Sequence, residues 1–121
     1  MEPDGQRELA LLCGTVREMA SRGDYAAGER LVRDAMGVYP HAPQPHNLIG
    51  VLLELQGDHP AAMKHFRAAW ALDPAYYPAR WNICRFGSFF PSGEWAFDEA
   101  DCPVPHERQY HEPEQDARGA D

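Results

Sequence analysis

The stretch that decides the fold is GDYAAGERLVRDA at residues 23–35, because it returns as GDHPAAMKHFRAA at residues 57–69. The two copies lie 34 residues apart and keep glycine, aspartate, two alanines and an arginine in register, and Pro40 and Pro74 continue the match. A fixed period of this length is typical of chains built from repeated pairs of helices. The sequence therefore predicts one helical unit used more than once.

The second copy contains signals for two helices with a short joint between them. Gly57 follows an apolar helical stripe and predicts its end, and Asp58 is placed to cap the next helix, with Pro60 in its first turn. Asp73 and Pro74 then predict the end of that second helix. Two helices per unit also agree with the 3.6-residue spacing of the apolar positions.

Small and large residues alternate on the apolar faces of this unit. Gly50, Ala62 and Ala69 let neighbouring helices approach closely, and Phe66 is expected to fill the space between them. The same pattern predicts that Trp70 lies on the buried side of the helix. This alternation serves packing and carries no catalytic chemistry.

These residues resemble the tetratricopeptide repeat over about residues 6–90. The positions that match the pattern of that family are Ile49-Gly50, Leu53, Gly57, Ala62, Phe66, Ala69 and Pro74. The first unit, at about residues 9–42, departs more from the pattern, since Gly28 and Val32 replace its alanine and phenylalanine. A third unit begins at Tyr77, with only its first helix recognisable.

The resemblance implies an all-α fold, an antiparallel α-solenoid of about two and a half helix-turn-helix units. Its five helices are expected near residues 5–22, 25–38, 43–56, 59–72 and 77–88. Residues 1–90 would form this repeat domain. Residues 91–121 would form an acidic tail rich in proline and aromatic residues, partly packed and then disordered from about Pro103.

Proteins of this family bind peptides or helices in a concave groove lined by the first helix of each pair. The 34-residue period places two rows of residues there: Cys13, Asn47 and Trp81, and then Arg17, Val51 and Arg85. Arginine can bind a carboxylate with two donors, and tryptophan offers apolar area. The two-carboxylate clamp for chaperone peptides is not expected, because Leu48 and Pro78 stand where it needs polar or basic residues.

The aromatic residues after the fifth helix are the second candidate contact region. They are Phe89, Phe90, Trp95 and Phe97, too many to leave in water. They could cover the open end of the fifth helix, or complete the solenoid by dimerisation. In a third arrangement Trp95 and Phe97, with Asp98 and Glu99, would dock in the groove of the same chain as a ligand that a partner displaces.

Charge and composition exclude several classes of partner. Residues 91–121 hold nine of the 19 acidic side chains and only Arg108 and Arg118 as basic ones, a charge that repels nucleic acid. The mean hydropathy of −0.57 and the absence of a long apolar run predict no membrane span. Acidic residues at the start predict no secretory signal, and three cysteines, which cannot all pair and show no C-x-x-C spacing, favour a reducing cytoplasm.

No motif for catalysis or for a cofactor is present, so the chain is expected not to be an enzyme and to need no cofactor. Cys102, His106 and His111 are spaced loosely for a structural metal site, and no metal is expected there. The sequence thus favours a protein-interaction module. Two alternatives stay open: a self-associating structural protein completed by its aromatic tail, and a small chaperone for a secreted protein.

Overall fold

The computed structural model describes residues 3–86 and 95–102. Five α-helices follow one another along the chain: α1 (Pro3–Ser21), α2 (Tyr25–Val38), α3 (Pro43–Leu55), α4 (His59–Leu72) and α5 (Tyr77–Phe86). A short 3-10 turn, Glu99–Asp101, comes after them, and the described ranges contain no strand. The all-α class and the five expected helices are confirmed. The expected disordered tail from Pro103 and the aromatic residues Phe89 and Phe90 lie outside the described residues.

The joints within the two repeated units are glycines in the left-handed region. Gly23 has φ of 79° and Gly57 has φ of 88°, a conformation that glycine adopts without the strain of a Cβ atom. Asp58 caps α4 by accepting a hydrogen bond from the Ala61 amide at 3.3 Å. Its counterpart Asp24 does not cap α2 with its side chain, and its carboxylate lies 3.5 Å from Nε of Arg22.

The central element of the fold is α3, which contacts α1, α2, α4 and α5. Leu48, Ile49 and Leu52 pack toward α1 and α2, whereas Val51 packs with residues of α4. Consecutive helices contact one another, and α3 also contacts α1 and α5 directly. The odd-numbered helices therefore lie side by side, with α3 in the middle.

The close approach of α3 and α4 depends on Gly50 and Phe66. Phe66 is completely buried, and a methyl group built on Gly50 would lie less than 3.0 Å from three carbons of the Phe66 ring. The predicted fit of small and large residues is thus present. The prediction for Trp70 is wrong: this side chain is 39% exposed, and the guanidinium of Arg80 lies 5.9 Å from its ring centre. Trp70 follows the buried Ala69 by one residue in the helix, so its side chain points to a different face, away from the core.

Within the described ranges, no helix has both the length and the apolar character that crossing a bilayer requires.

Candidate functional site

A short segment that follows the helices in the chain packs back against them. We call residues 95–102 the docked segment. It lies against Arg17 of α1, Asn47 of α3 and Asn82 of α5, and we call the helix faces carrying these three residues the receiving surface. Ala96, the second residue of the docked segment, is completely buried. The odd-numbered helices thus share one occupant, which is part of the same chain.

The second half of the docked segment holds its own shape through two aspartates. Asp98 accepts a hydrogen bond from the Ala100 amide at 3.0 Å, and Asp101 accepts one from the Phe97 amide at 2.9 Å. The Asp101 carboxylate also accepts a hydrogen bond from the Asp98 amide at 3.4 Å, and the Asp98 carboxylate accepts one from the Asp101 amide, so a reciprocal capping box closes the 3-10 turn Glu99–Asp101. Because Asp98 is the N-cap and Asp101 the third residue of this turn, the capping box brings their carboxylates to the same side.

Two buried asparagines, which we call the clamp, bind the backbone of Ala96. The Asn82 amide accepts a hydrogen bond from the Ala96 N–H and donates one to the Ala96 carbonyl, each at 2.9 Å. Asn47 donates a second hydrogen bond to that carbonyl at 2.9 Å, and the two asparagines are joined at the same distance. Both asparagines are fully buried. Every polar group of Ala96 is therefore satisfied without involving a side chain of the docked segment.

Arg17 binds both aspartates of the docked segment. Its Nη2 atom lies 2.8 Å from Asp101 and 3.0 Å from Asp98, and its guanidinium stands 5.3 Å from the ring centre of Phe97. The hydrogen bond to Asp101 is the main cause that raises the pKa of Arg17, and burial opposes it. The Arg17 side chain is 39% exposed, so water screens much of the attraction, and the contact chiefly favours acidic groups at these two positions of the docked segment.

The aromatic residues of the docked segment cover apolar parts of the helices. Trp95 stacks on Phe86, the last residue of α5, with ring centres 3.7 Å apart. Phe97 packs against both main apolar clusters, the one between α1, α2 and α3 and the one around Val51 and Phe66. The docked segment thus covers the end of α5 and also lies across α1 and α3.

A cleft of about 500 Å³ opens beside the docked segment, and Cys13 and Tyr76 form part of its lining together with Asp98 and Glu99. The Cys13 thiol is almost completely buried, and burial, assisted by the Asp98 carboxylate, raises its pKa to about 11. Burial also raises the pKa of Tyr76. The Tyr76 hydroxyl and the Cys13 thiol are close enough to affect one another's pKa, but the hydroxyl has no partner at hydrogen-bond geometry. A thiol held neutral in this way is a poor nucleophile.

The raised pKa of Cys13 predicts a loss of stability in alkali. Between pH 9 and 11 the thiol of the unfolded chain ionises while the folded thiol keeps its proton, so the free energy of unfolding falls as pH rises. We expect the wild type to lose about 2 kcal/mol more than Cys13→Ala between pH 8 and 10.5. Urea unfolding followed by circular dichroism measures this, and Tyr76 is present in both proteins.

The exposed Cys84 supplies the control for this measurement. Cys84→Ala should keep the pH dependence of the wild type, because it also removes a thiol but leaves the buried Cys13 in place. Equal losses in the wild type and in Cys13→Ala would contradict the assignment.

The six residues predicted for the groove lie in three different environments in the structure. Cys13, Arg17 and Asn47 lie at the receiving surface or at the cleft beside it. Val51 is fully buried as a member of the apolar cluster on which the two aromatic residues of the docked segment pack. Trp81 and Arg85 lie together on α5, with the guanidinium 4.2 Å from the ring centre. Sequence periodicity therefore places only part of the predicted set around one occupant.

Three residues of the site have no counterpart in the sequence prediction: Asn82, Ala96 and Asp101. Asn82 had a signal, since an asparagine inside a helix between two large apolar residues is unfavourable there and indicates a specific partner. Ala96 and Asp101 had none, because their roles depend on where the chain returns after α5.

No group of three histidine, cysteine or carboxylate side chains within residues 3–86 and 95–102 is arranged to hold a metal ion. His106 and His111 lie outside the described residues. The metal-free prediction for Cys102 and these histidines therefore stays a prediction.

Comparison of the chain with protein-family models, with curated proteins and with solved structures finds no match.

Proposed function

We propose that this chain is a protein-interaction module, a short solenoid of the tetratricopeptide type whose receiving surface is a groove for an extended segment of a partner protein. Support comes from the 34-residue period, from the glycine joints at equivalent positions Gly23 and Gly57, and from the side-by-side contacts of α1, α3 and α5. In a solenoid of this type those three helices line the inner face.

The observation that carries the proposal is the clamp on Ala96. Asn47 and Asn82 bind only backbone groups, which every peptide possesses, so the same clamp can hold a segment from another chain. A surface that served only to cover the helices would have a lower desolvation cost if it were made of apolar residues, since each buried amide must find all its hydrogen-bond partners. Two fully buried asparagines are thus the mark of a surface built to hold peptide backbone.

Self-association is the weaker candidate. The idea that Trp95 and Phe97 complete a dimer needs these rings at a surface, whereas in the structure both pack within their own chain. Sedimentation at micromolar concentration distinguishes the two candidates, and a dimeric mass would favour self-association.

The proposal can be tested with a variant that opens the groove. Ala96 is completely buried at the clamp, so Ala96→Lys should expel the docked segment and leave the receiving surface unchanged. The bait proteins are the wild type, Ala96→Lys, and Ala96→Lys with Arg17→Glu, all checked for helical content. Each is exposed to cell lysate, and the bound proteins are identified by mass spectrometry and then purified for direct binding measurements.

We expect Ala96→Lys to capture a protein that the wild type retains only weakly. Adding Arg17→Glu to Ala96→Lys should abolish this capture. A purified partner that binds Ala96→Lys equally well with and without Arg17→Glu would contradict the proposed groove. The matched control is Arg85→Glu in the Ala96→Lys background. Arg85 lies on α5 beside Trp81, and its charge reversal should leave capture unchanged.

A further inference from the structure

Resting on the proposed function, the geometry points to the chemistry of the external ligand and to its control. We propose that the receiving surface binds an acidic peptide of the pattern aromatic–small–aromatic–Asp–x–x–Asp on a partner protein. The docked segment, WAFDEAD at residues 95–101, has this pattern and is an internal competitor for the same surface. The partner displaces it.

The small residue of the pattern follows from the position of Ala96. Its backbone is bound on both sides by Asn47 and Asn82, and its exposed fraction is 0%. A longer side chain at this position would enter the packed space around the clamp, where a charged or branched group has no room. The ligand therefore carries alanine or glycine there.

The two aromatic positions follow from apolar surfaces that lie on either side of the clamp. Phe86 is 5% exposed and has Trp95 stacked on it, so departure of the docked segment would uncover its ring. Phe97 covers parts of two apolar clusters and lies beneath the guanidinium of Arg17. Aromatic side chains fill such sites with large area and few rotatable bonds, which makes them effective anchors.

The two aspartates of the pattern follow from Arg17. Its guanidinium contacts Asp98 and Asp101 together, and the spacing of three residues suits the capping box of a 3-10 turn, which brings both carboxylates to one side. With the docked segment removed, Arg17 would lose both of these carboxylates. The receiving surface then favours an acidic ligand over a basic one.

The docked segment competes strongly because it belongs to the same chain. Only residues 87–94 connect α5 to it, and a short tether gives an effective concentration in the millimolar range. For a free peptide that binds the open groove with a Kd of about 10 µM, competition at this concentration weakens binding by roughly 100-fold. Binding of a partner is thus limited by release of the docked segment.

The test uses a fluorescein-labelled peptide of sequence WAFDEAD and fluorescence anisotropy. The proteins are the full-length wild type and two opened variants, Ala96→Lys and Asp98→Lys/Asp101→Lys. In the second variant two lysines of the docked segment are repelled by Arg17, and the two asparagines of the clamp are unchanged. Because the variants open the surface in different ways, a folding failure of either one does not end the experiment. The control peptides are WKFDEAD, which cannot enter the clamp, and WAFKEAK, which cannot bind Arg17.

We expect both opened variants to bind WAFDEAD about 100-fold more tightly than the wild type. Each control peptide carries the substitution that expels the docked segment in one of the variants, so it should bind them at least about 100-fold more weakly than WAFDEAD. Equal binding by wild type and opened variants would overturn the internal competition. Folded opened variants that capture a partner from lysate but bind WAFDEAD no better than WAFKEAK would overturn the ligand chemistry and leave the proposed function standing. Failure of both capture and peptide binding would overturn the proposed function itself.

A dimer of the wild type that becomes monomeric in the opened variants would overturn the inference in another way. It would mean that a second copy of the chain supplies the docked segment by exchange.

Discussion

Replacing Gly50 with alanine is expected to lower the free energy of unfolding by about 2–3 kcal/mol, although alanine normally favours a helix over glycine. The added methyl group would lie less than 3.0 Å from three ring carbons of Phe66. That ring is completely buried between α3 and α4 and has no free space to move into, so the two helices must separate. Thermal unfolding should show a decrease in Tm of about 10 °C.

The same substitution at Gly14 should act in the opposite direction. Gly14 lies inside α1, and a methyl group built there meets no atom within 4 Å. Gly14→Ala should therefore raise stability by about 0.5–1 kcal/mol through helix propensity alone. A smaller side chain at position 66 should relieve the overlap between a methyl group at position 50 and the Phe66 ring. The free energy of unfolding lost in Gly50→Ala/Phe66→Leu should therefore be smaller than the sum of the losses in the two single variants by about 1 kcal/mol or more. Strict additivity would contradict the contact between Gly50 and Phe66.

Replacing Asn82 with leucine is expected to release the docked segment and leave the five helices folded. The change removes both hydrogen bonds to Ala96 and the one to Asn47, and a buried polar group without a partner costs about 1–3 kcal/mol. When the docked segment is released, the polar groups of Ala96 and Asn47 can bind water. The loss in the free energy of unfolding is therefore limited to the free energy of docking. Hydrogen exchange of the Ala96 amide should become about 100-fold faster, with far-ultraviolet circular dichroism nearly unchanged.

Asn47→Leu is the matched comparison for this prediction. It removes one donor to the Ala96 carbonyl and the acceptor for the Asn82 amide, but leaves both hydrogen bonds between Asn82 and Ala96 in place, so exchange at Ala96 should accelerate only about tenfold. An Ala96 amide that stays fully protected in Asn82→Leu would show that the aromatic contacts, and not the clamp, hold the docked segment.

The helices could be predicted from the sequence because their signals are local. Gly57 and Asp58 end one helix and start the next whatever lies around them, and α3 and α4 begin at positions set by Pro43 and by Pro60 in the first turn. Trp70 shows the limit of this approach. An apolar residue at the edge of a helical stripe can lie on either side of the boundary, and only the packing of the neighbouring helix decides.

Less of the site could be predicted from the sequence. The 34-residue period related Asn47 to Trp81, yet the structure uses the next residue, Asn82, to bind the docked segment. A shift of one residue changes the face of a helix by about 100°, and a repeat pattern does not record such a shift. The contact of Asp101 with Arg17 joins residues 84 positions apart, and no local rule relates them.

The order of the receiving surface and the docked segment along the chain has a consequence during protein synthesis. The helices up to Phe86 are translated before Trp95, and Cys102 ends the described part of the occupant. At about 5–20 residues per second, the ribosome adds residues 87–102 roughly 1–3 s after the last helix. Every newly made chain therefore has its receiving surface before it has the docked segment, and if the chain binds a partner as proposed, a partner present at the ribosome would meet that surface without competition.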